Sequence, residues 1–183
     1  MRRVLFLYIF VFLFSCSQKN RSSLCEQNRK LELVNRIRCS VARQLLKEKN
    51  LEICGFGSKM EDKNEILSLL FNYNKDIEIE EAREFLMCAS NLFLQKLNNE
   101  AVQPYFTNYP FTINDIGIYI FLNRPDGGGR EAEEFSFASL RKGILMYNNG
   151  IDQPMDPNNS TETFAEAEEI LKHKKDSQLI GIR

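Results

Sequence analysis

Four carboxylates, Glu78, Glu80, Glu81 and Glu84, stand close together in this chain. Paired carboxylates are what glycoside hydrolysis uses as acid and base. That chemistry needs two carboxyls facing each other across a cleft, which spacing alone does not provide. Carboxylates in the first turn of a helix are also favoured by its dipole without any catalytic role. Histidine, the usual proton shuttle and metal ligand near neutral pH, occurs once, at His173. Its neighbours Lys172, Lys174 and Lys175 would repel a bound cation, and nothing beside it suggests a Ser-His-Asp or Cys-His arrangement. A solvated helix end accounts for it.

Other short motifs point to turns. Gly55-Phe56-Gly57-Ser58-Lys59 is glycine-rich, but a nucleotide-binding loop needs four residues between its glycines and a Gly-Lys-Ser/Thr ending. Asp126-Gly127-Gly128-Gly129-Arg130 offers backbone amides to an anion, yet Glu131, Glu133 and Glu134 follow at once and would repel it. Asp152, Asp156, Asn158 and Ser160 are oxygen ligands of the calcium type. A calcium loop begun at Asp156 has Thr161 where glycine is needed and Ala167 where glutamate is needed. A turn followed by a helix capped at Asn159 or Ser160 is the simpler reading. No metal and no cofactor are expected. Val102–Thr112 carries Tyr105, Phe106, Tyr109 and Phe111, rings that either anchor a protein partner or cover one end of the core.

The N-terminus has an address. Met1-Arg2-Arg3 is cationic, and Val4–Phe14 is an unbroken apolar run, well short of the ~20 residues that span a bilayer as a helix. A positive start, a short apolar stretch and small residues at its exit describe an export signal. Leu13-Phe14-Ser15-Cys16 resembles the lipobox of bacterial lipoproteins, with Leu13, Ser15 and Cys16 matching and Phe14 bulkier than that family prefers. The resemblance implies a diacylglycerol thioether on Cys16, cleavage before it by signal peptidase II, and a further acyl chain, palmitate or similar, on the new amino group. Two or three chains at about 0.8 kcal/mol per buried CH₂ make such anchoring stable. Ordinary cleavage after Ser17, with Ser15 and Ser17 as the small residues, keeps the export and drops the lipid. An uncleaved anchor is the third alternative, disfavoured by the short apolar stretch.

Composition bounds the rest. The formal net charge is −1, so no basic excess is present to attract nucleic acid. The chain beyond the signal fits one domain. With Cys16 given to lipid, Cys25, Cys39, Cys54 and Cys88 remain. An even number in an oxidising compartment allows two disulfides. Cys39 and Cys88 fall inside expected helices; Cys25 and Cys54 flank the first helix and are the better pair, and four buried free thiols are the alternative. No two cysteines stand in CxxC spacing, which leaves out the paired-cysteine zinc motif.

Periodicity supplies the elements. Leu31, Val34, Ile37, Val41 and Leu45 predict a helix over 29–49, capped by Asn28 and ended by Asn50. Residues 51–60 read as a brief strand and turn. Leu67, Leu69, Phe71 and Tyr73 predict a strand over 66–73. The 79–98 helix has the widest apolar face, and Phe85, Leu86 and Phe93 are expected in the core. Ile116, Ile118 and Ile120 alternate with Gly117, Tyr119 and Phe121 in another strand. Strands near Phe135–Phe137 and Ile144–Met146, joined by a turn over 139–143, and a helix over 161–175 complete the set.

The expected fold is α+β: a small, mostly antiparallel sheet with helices on one side, ordered α-β-α-β-β-β-α. The expected organisation is a signal peptide at 1–15, lipidated Cys16 and a polar tether at 16–28, one domain at 29–175 and a tail at 176–183. Glu81-Ala82-Arg83, Gln103-Pro104-Tyr105-Phe106 and Tyr109-Pro110-Phe111-Thr112 resemble stretches in a family of uncharacterised exported proteins of intracellular bacteria, which implies no activity. The expected function is that of a membrane-anchored protein of the bacterial cell envelope, non-enzymatic, binding an unidentified protein or stabilising an envelope assembly. Its membrane contact is the lipid, and no nucleic acid is expected. The alternative is an envelope hydrolase using acidic residues.

Overall fold

The computed structural model describes the backbone of residues 2–61, 64–99, 102–131, 134–149 and 161–180, and the side chains of residues 26–177 within those stretches. The chain divides into two units, Met1–Arg36 and Ile37–Arg183. Its elements are α1 (Arg2–Lys49), β1 (Glu52–Glu61), β2 (Asn64–Tyr73), α2 (Ile79–Asn99), two short 3₁₀ turns (Gln103–Tyr105 and Ile113–Asp115), β3 (Ile116–Leu122), β4 (Phe137–Arg141), β5 (Ile144–Asn148), β6 (Thr161–Thr163) and α3 (Phe164–Ile180).

The six strands form one sheet in the order β1-β2-β3-β4-β5-β6. Every neighbouring pair is antiparallel except β2 and β3, which run parallel. A parallel pair needs a crossover, and α2 supplies it. The fold is α+β with the helices on one side of a mostly antiparallel sheet.

Two strands exceed the expected order. β1, expected as a brief strand and turn, is a full ten-residue edge strand; its glycines and a register shift between Ile53 and Gly55 that leaves Cys54 as a bulge mask its length in the sequence. β6 is three residues long and occupies the start of the expected last helix. That helix begins at Phe164, and its cap is Thr163. The Thr163 N–H and Oγ1 donate to Glu166 Oε2 at 2.7 and 2.8 Å, and the Glu166 N–H donates back to Thr163 Oγ1 at 3.2 Å. This is the reciprocal Thr-x-x-Glu capping box. The turn between β4 and β5 shrinks to Lys142-Gly143, both at positive φ, as a two-residue hairpin connection requires.

α1 also differs at its start. Asn28 does not cap it, and the stretch expected as a tether is helical, because α1 runs unbroken from Arg2. Its end is as expected: Asn50 takes a left-handed conformation and donates to the Leu46 carbonyl at 3.1 Å, which stops the helix.

The core lies between the helices and one sheet face. Leu67, Leu69 and Phe71 of β2 stand beside Ile116, Ile118 and Ile120 of β3, with Ala138, Leu140, Leu145 and Tyr147 continuing that face across β4 and β5. All are buried, as are Ile37, Val41 and Leu45 of α1 and Ala82, Phe85, Leu86, Ala89, Phe93 and Leu97 of α2. Truncating Phe93, which has no exposed surface, to Ala should destabilise the fold by roughly 3–5 kcal/mol through lost burial and a cavity. Glu80→Gln, at an exposed site in the first turn of α2, should change stability by about 0.5 kcal/mol or less. Thermal and denaturant melts of the two variants would separate these outcomes.

Candidate functional site

The acidic group lies on the rim of a cleft. Glu78, Glu80, Glu81 and Glu84 line it together with Glu48 at the end of α1, Tyr73 at the end of β2, and Lys49, Lys75 and Lys174. Folding therefore brings a carboxylate from a second element into the cleft of the α2 carboxylates. Their partners are those of solvated ions. Lys174 Nζ meets Glu84 Oε1 at 2.9 Å, and Tyr73 Oη donates to Glu81 Oε1 at 3.5 Å. Burial, then Glu81, pushes the Tyr73 phenol up. Glu48, Glu78, Glu80 and Glu81 are exposed, whereas a general acid of the lysozyme kind sits in an apolar enclosure.

The aromatic crossing is divided between core and surface. Phe106 and Phe111 are buried and meet edge to face, with ring centroids 4.9 Å apart. Tyr109 lies 6.4 Å from Phe111, and its hydroxyl donates to the Asn98 carbonyl at 3.1 Å. Asn98, on the last turn of α2, holds both backbone groups of Phe111: Nδ2 donates to the carbonyl and Oδ1 accepts from the N–H, each at 2.9 Å. Asp115 fixes the far end. Its Oδ2 accepts from the Thr112 N–H and hydroxyl at 2.8 and 2.7 Å, and its Oδ1 accepts from Asn108 Nδ2 at 2.9 Å. Phe106 and Phe111 are thus consumed by the core end; Tyr105 and Tyr109 keep partial exposure.

Cys39, Cys54 and Cys88 are free thiols, and the expected Cys25–Cys54 pairing rests on a residue whose side chain is not among those described. The two residues do not flank the first helix, because α1 passes through position 25. The side chains of Cys16 and Cys25 lie outside the described residues, as do Asp152, Asp156, Asn158, Asn159 and Ser160. Among the described residues, no group of His, Cys, Asp and Glu side chains could hold a metal ion, and no helix is long and apolar enough to cross a membrane.

Two features escaped the sequence reading. The first is the second face of the sheet. Tyr119 and Phe121 of β3 and Phe137 of β4 share it with Leu70 and Met146. Tyr119 stacks on Phe137 at 6.3 Å, and Phe121 meets Phe137 at 5.4 Å. All five side chains are partly exposed, because the helices pack on the opposite side. Gly117 lets this platform lie flat. A Cβ there would come within 2.7 Å of Ser68 Oγ and 3.0 Å of the Tyr119 ring, so the ring folds down over the glycine. The signal was in the alternation of residues 116–122, apolar at both parities.

The second is a largely buried cluster, Arg83–Glu162–Tyr147. Arg83 Nε pairs with Glu162 Oε1 at 2.6 Å, Tyr147 Oη donates to the same oxygen, and the Arg83 guanidinium lies 5.9 Å from the Tyr147 ring centroid. Burial, followed by Glu162, drives the Tyr147 phenol far up. The cluster ties α2 to β5 and β6 through residues remote in sequence.

A charged group closes the opposite end of the sheet. Glu61, ending β1, meets Arg141 of β4, Lys142 Nζ at 2.8 Å and Lys59 Nζ at 2.8 Å. The bond from Lys142, then that from Lys59, with attraction from Arg141, holds its carboxyl down at about 2. A depressed carboxylate stabilises the fold above its unfolded value, ~4.3, and that contribution is lost as pH falls through its folded value. The stability difference between wild type and Glu61→Gln should therefore be largest above about pH 5, shrink as pH falls, and vanish only below about pH 2. Thermal melts across that range would test this, and a difference constant with pH would count against it.

Comparison of the chain with protein-family models, with curated proteins and with solved structures found no match.

Proposed function

We propose that the chain is a lipid-anchored protein of the bacterial cell envelope that binds another protein through the uncovered face of its sheet. The anchoring half of this reading is supported by Leu13-Phe14-Ser15-Cys16 at the exit of a short apolar run. The binding half is carried by one observation: Tyr119, Phe121 and Phe137 form a partly exposed aromatic platform on the sheet face opposite the helices. Aromatic side chains supply binding anchors when a partner desolvates them. The Tyr105–Phe111 crossing is a weaker surface, since Phe106 and Phe111 are buried.

The hydrolase reading has one observation in its favour, the shared cleft of Glu48 and the α2 carboxylates. Against it stands the exposure of those carboxylates.

Two experiments divide these readings. Metabolic labelling with a fatty-acid analogue should mark the wild-type protein and leave Cys16→Ala unlabelled; equal labelling removes the anchor. A photo-crosslinking residue at position 121 should give a discrete protein adduct in intact cells, suppressed by Tyr119→Asp. The same residue at exposed position 169 should not. Adducts of equal yield from both positions, or loss of a measured hydrolytic activity in Glu81→Gln, would displace the binding reading.

A further inference from the structure

We propose that the groove between α2 and α3 binds a single-chain anionic amphiphile, a hydrocarbon chain ending in a phosphate or carboxylate. The groove, about 750 Å³, lies within the size range of small-molecule sites. Its floor is apolar: Met87 and Cys88 come from α2, and Leu171 comes from α3. Lys49, Lys172, Lys174 and Lys175 surround it.

Charge decides the ligand class. Lys174 is paired with Glu84 at 2.9 Å. Lys49, Lys172 and Lys175 have no ion-pair partner among the described residues. Lys49 points its ammonium over the Phe85 ring, 5.9 Å from the centroid. Lys49 and Lys174 are shared with the acidic cleft, and Glu168 is the one carboxylate besides Glu84 on the lining, so Lys172 and Lys175 are the cations that belong to the groove alone. Lysines from the end of α1 and from α3 around an apolar floor favour an anion, which gains further from a chain that covers the floor. An inorganic anion would leave that floor wet, and a neutral chain would leave the ammonium groups unmatched.

Cys88 provides the readout. It is half-buried in the groove, and burial pushes its thiol up, so it alkylates slowly and a ligand above it slows it further. Cys54 lies exposed on β1 and serves as an internal control. With the full chain in phosphatidylcholine nanodiscs, octyl phosphate below its micellar concentration should slow alkylation of Cys88 at least fivefold and leave Cys54 unchanged. Lys172→Gln/Lys175→Gln, at exposed positions, should keep the wild-type melting temperature and lose the protection. An unchanged Cys88 rate would overturn the proposal. So would equal protection by inorganic phosphate or by octyl glucoside, or protection that survives in the double variant.

Discussion

Burial of the apolar face of α2 against the sheet, chiefly against β3 and then β4 and β5, is the interaction on which the sheet depends. β2 and β3 are parallel neighbours, so no short turn can join them and their pairing is secured through the crossover. Phe93, Leu86 and Leu97 on the helix, and Leu67, Leu69, Phe71, Ile116, Ile118 and Ile120 on the sheet face that the helices cover, have essentially no exposed surface. Removing such side chains from water contributes about 1.5–3 kcal/mol each, which offsets the entropy of ordering a long connection. β1 then adds to β2 and β4 to β3 by antiparallel pairing. The same constraint has a second effect. With the helices on one side, three aromatic residues of opposite parity on β3 and β4, Tyr119, Phe121 and Phe137, are left partly exposed.

The irregular segments are fixed by polar side chains that satisfy backbone groups the sheet cannot reach, as buried polar groups require. Asn98 supplies both hydrogen bonds of Phe111, and Asp115 holds Thr112 and Asn108. β6, too short to be held by its own ladder, is retained by Glu162, which accepts from Arg83 and Tyr147 beneath it. Such a pair stabilises chiefly by being complete, since either charge left alone in that setting is costly.

These dependencies explain what could be read from sequence. The isoleucines of β3 and the helical stripe of α2 are regular over seven residues or more, so the fold class and Phe85, Leu86 and Phe93 as core residues were legible. β1 was legible only as a brief strand and turn, because Cys54 breaks its alternation as a bulge and Gly55 and Gly57 give no side-chain pattern. β6 was not, because three residues carry no period and its pairing with β5 is set by Glu162. Nor could spacing distinguish Phe111, locked by Asn98 into the core end, from Tyr105 at the surface. The cleft that joins Glu48 to Glu81 and the groove that joins Lys49 to Lys172 are products of helix packing, and no local pattern in either segment records them. The extent of α1 was also misjudged, since its polar residues 17–24 weaken the apolar stripe without containing a glycine or proline to stop the helix.

The sheet edges bear on how a partner would approach. A long unpaired edge invites addition of a strand from another chain, and β1 is such an edge, with Phe56 and Met60 exposed along it. Two features oppose that addition. The bulge at Cys54 interrupts the regular ladder. Arg38 reaches from α1 to the middle of the strand, donates to the Gly57 carbonyl at 2.5 Å and to Ser58 Oγ at 3.0 Å, and lies 5.5 Å from the Phe56 ring centroid. An incoming strand would have to displace a buried guanidinium that its own geometry cannot replace. At the other edge, β6 offers only three residues before the capping box turns the chain into α3. Strand addition is therefore disfavoured at both edges. The sheet surface left for a partner is its aromatic face, where association is governed by side-chain burial rather than by backbone pairing.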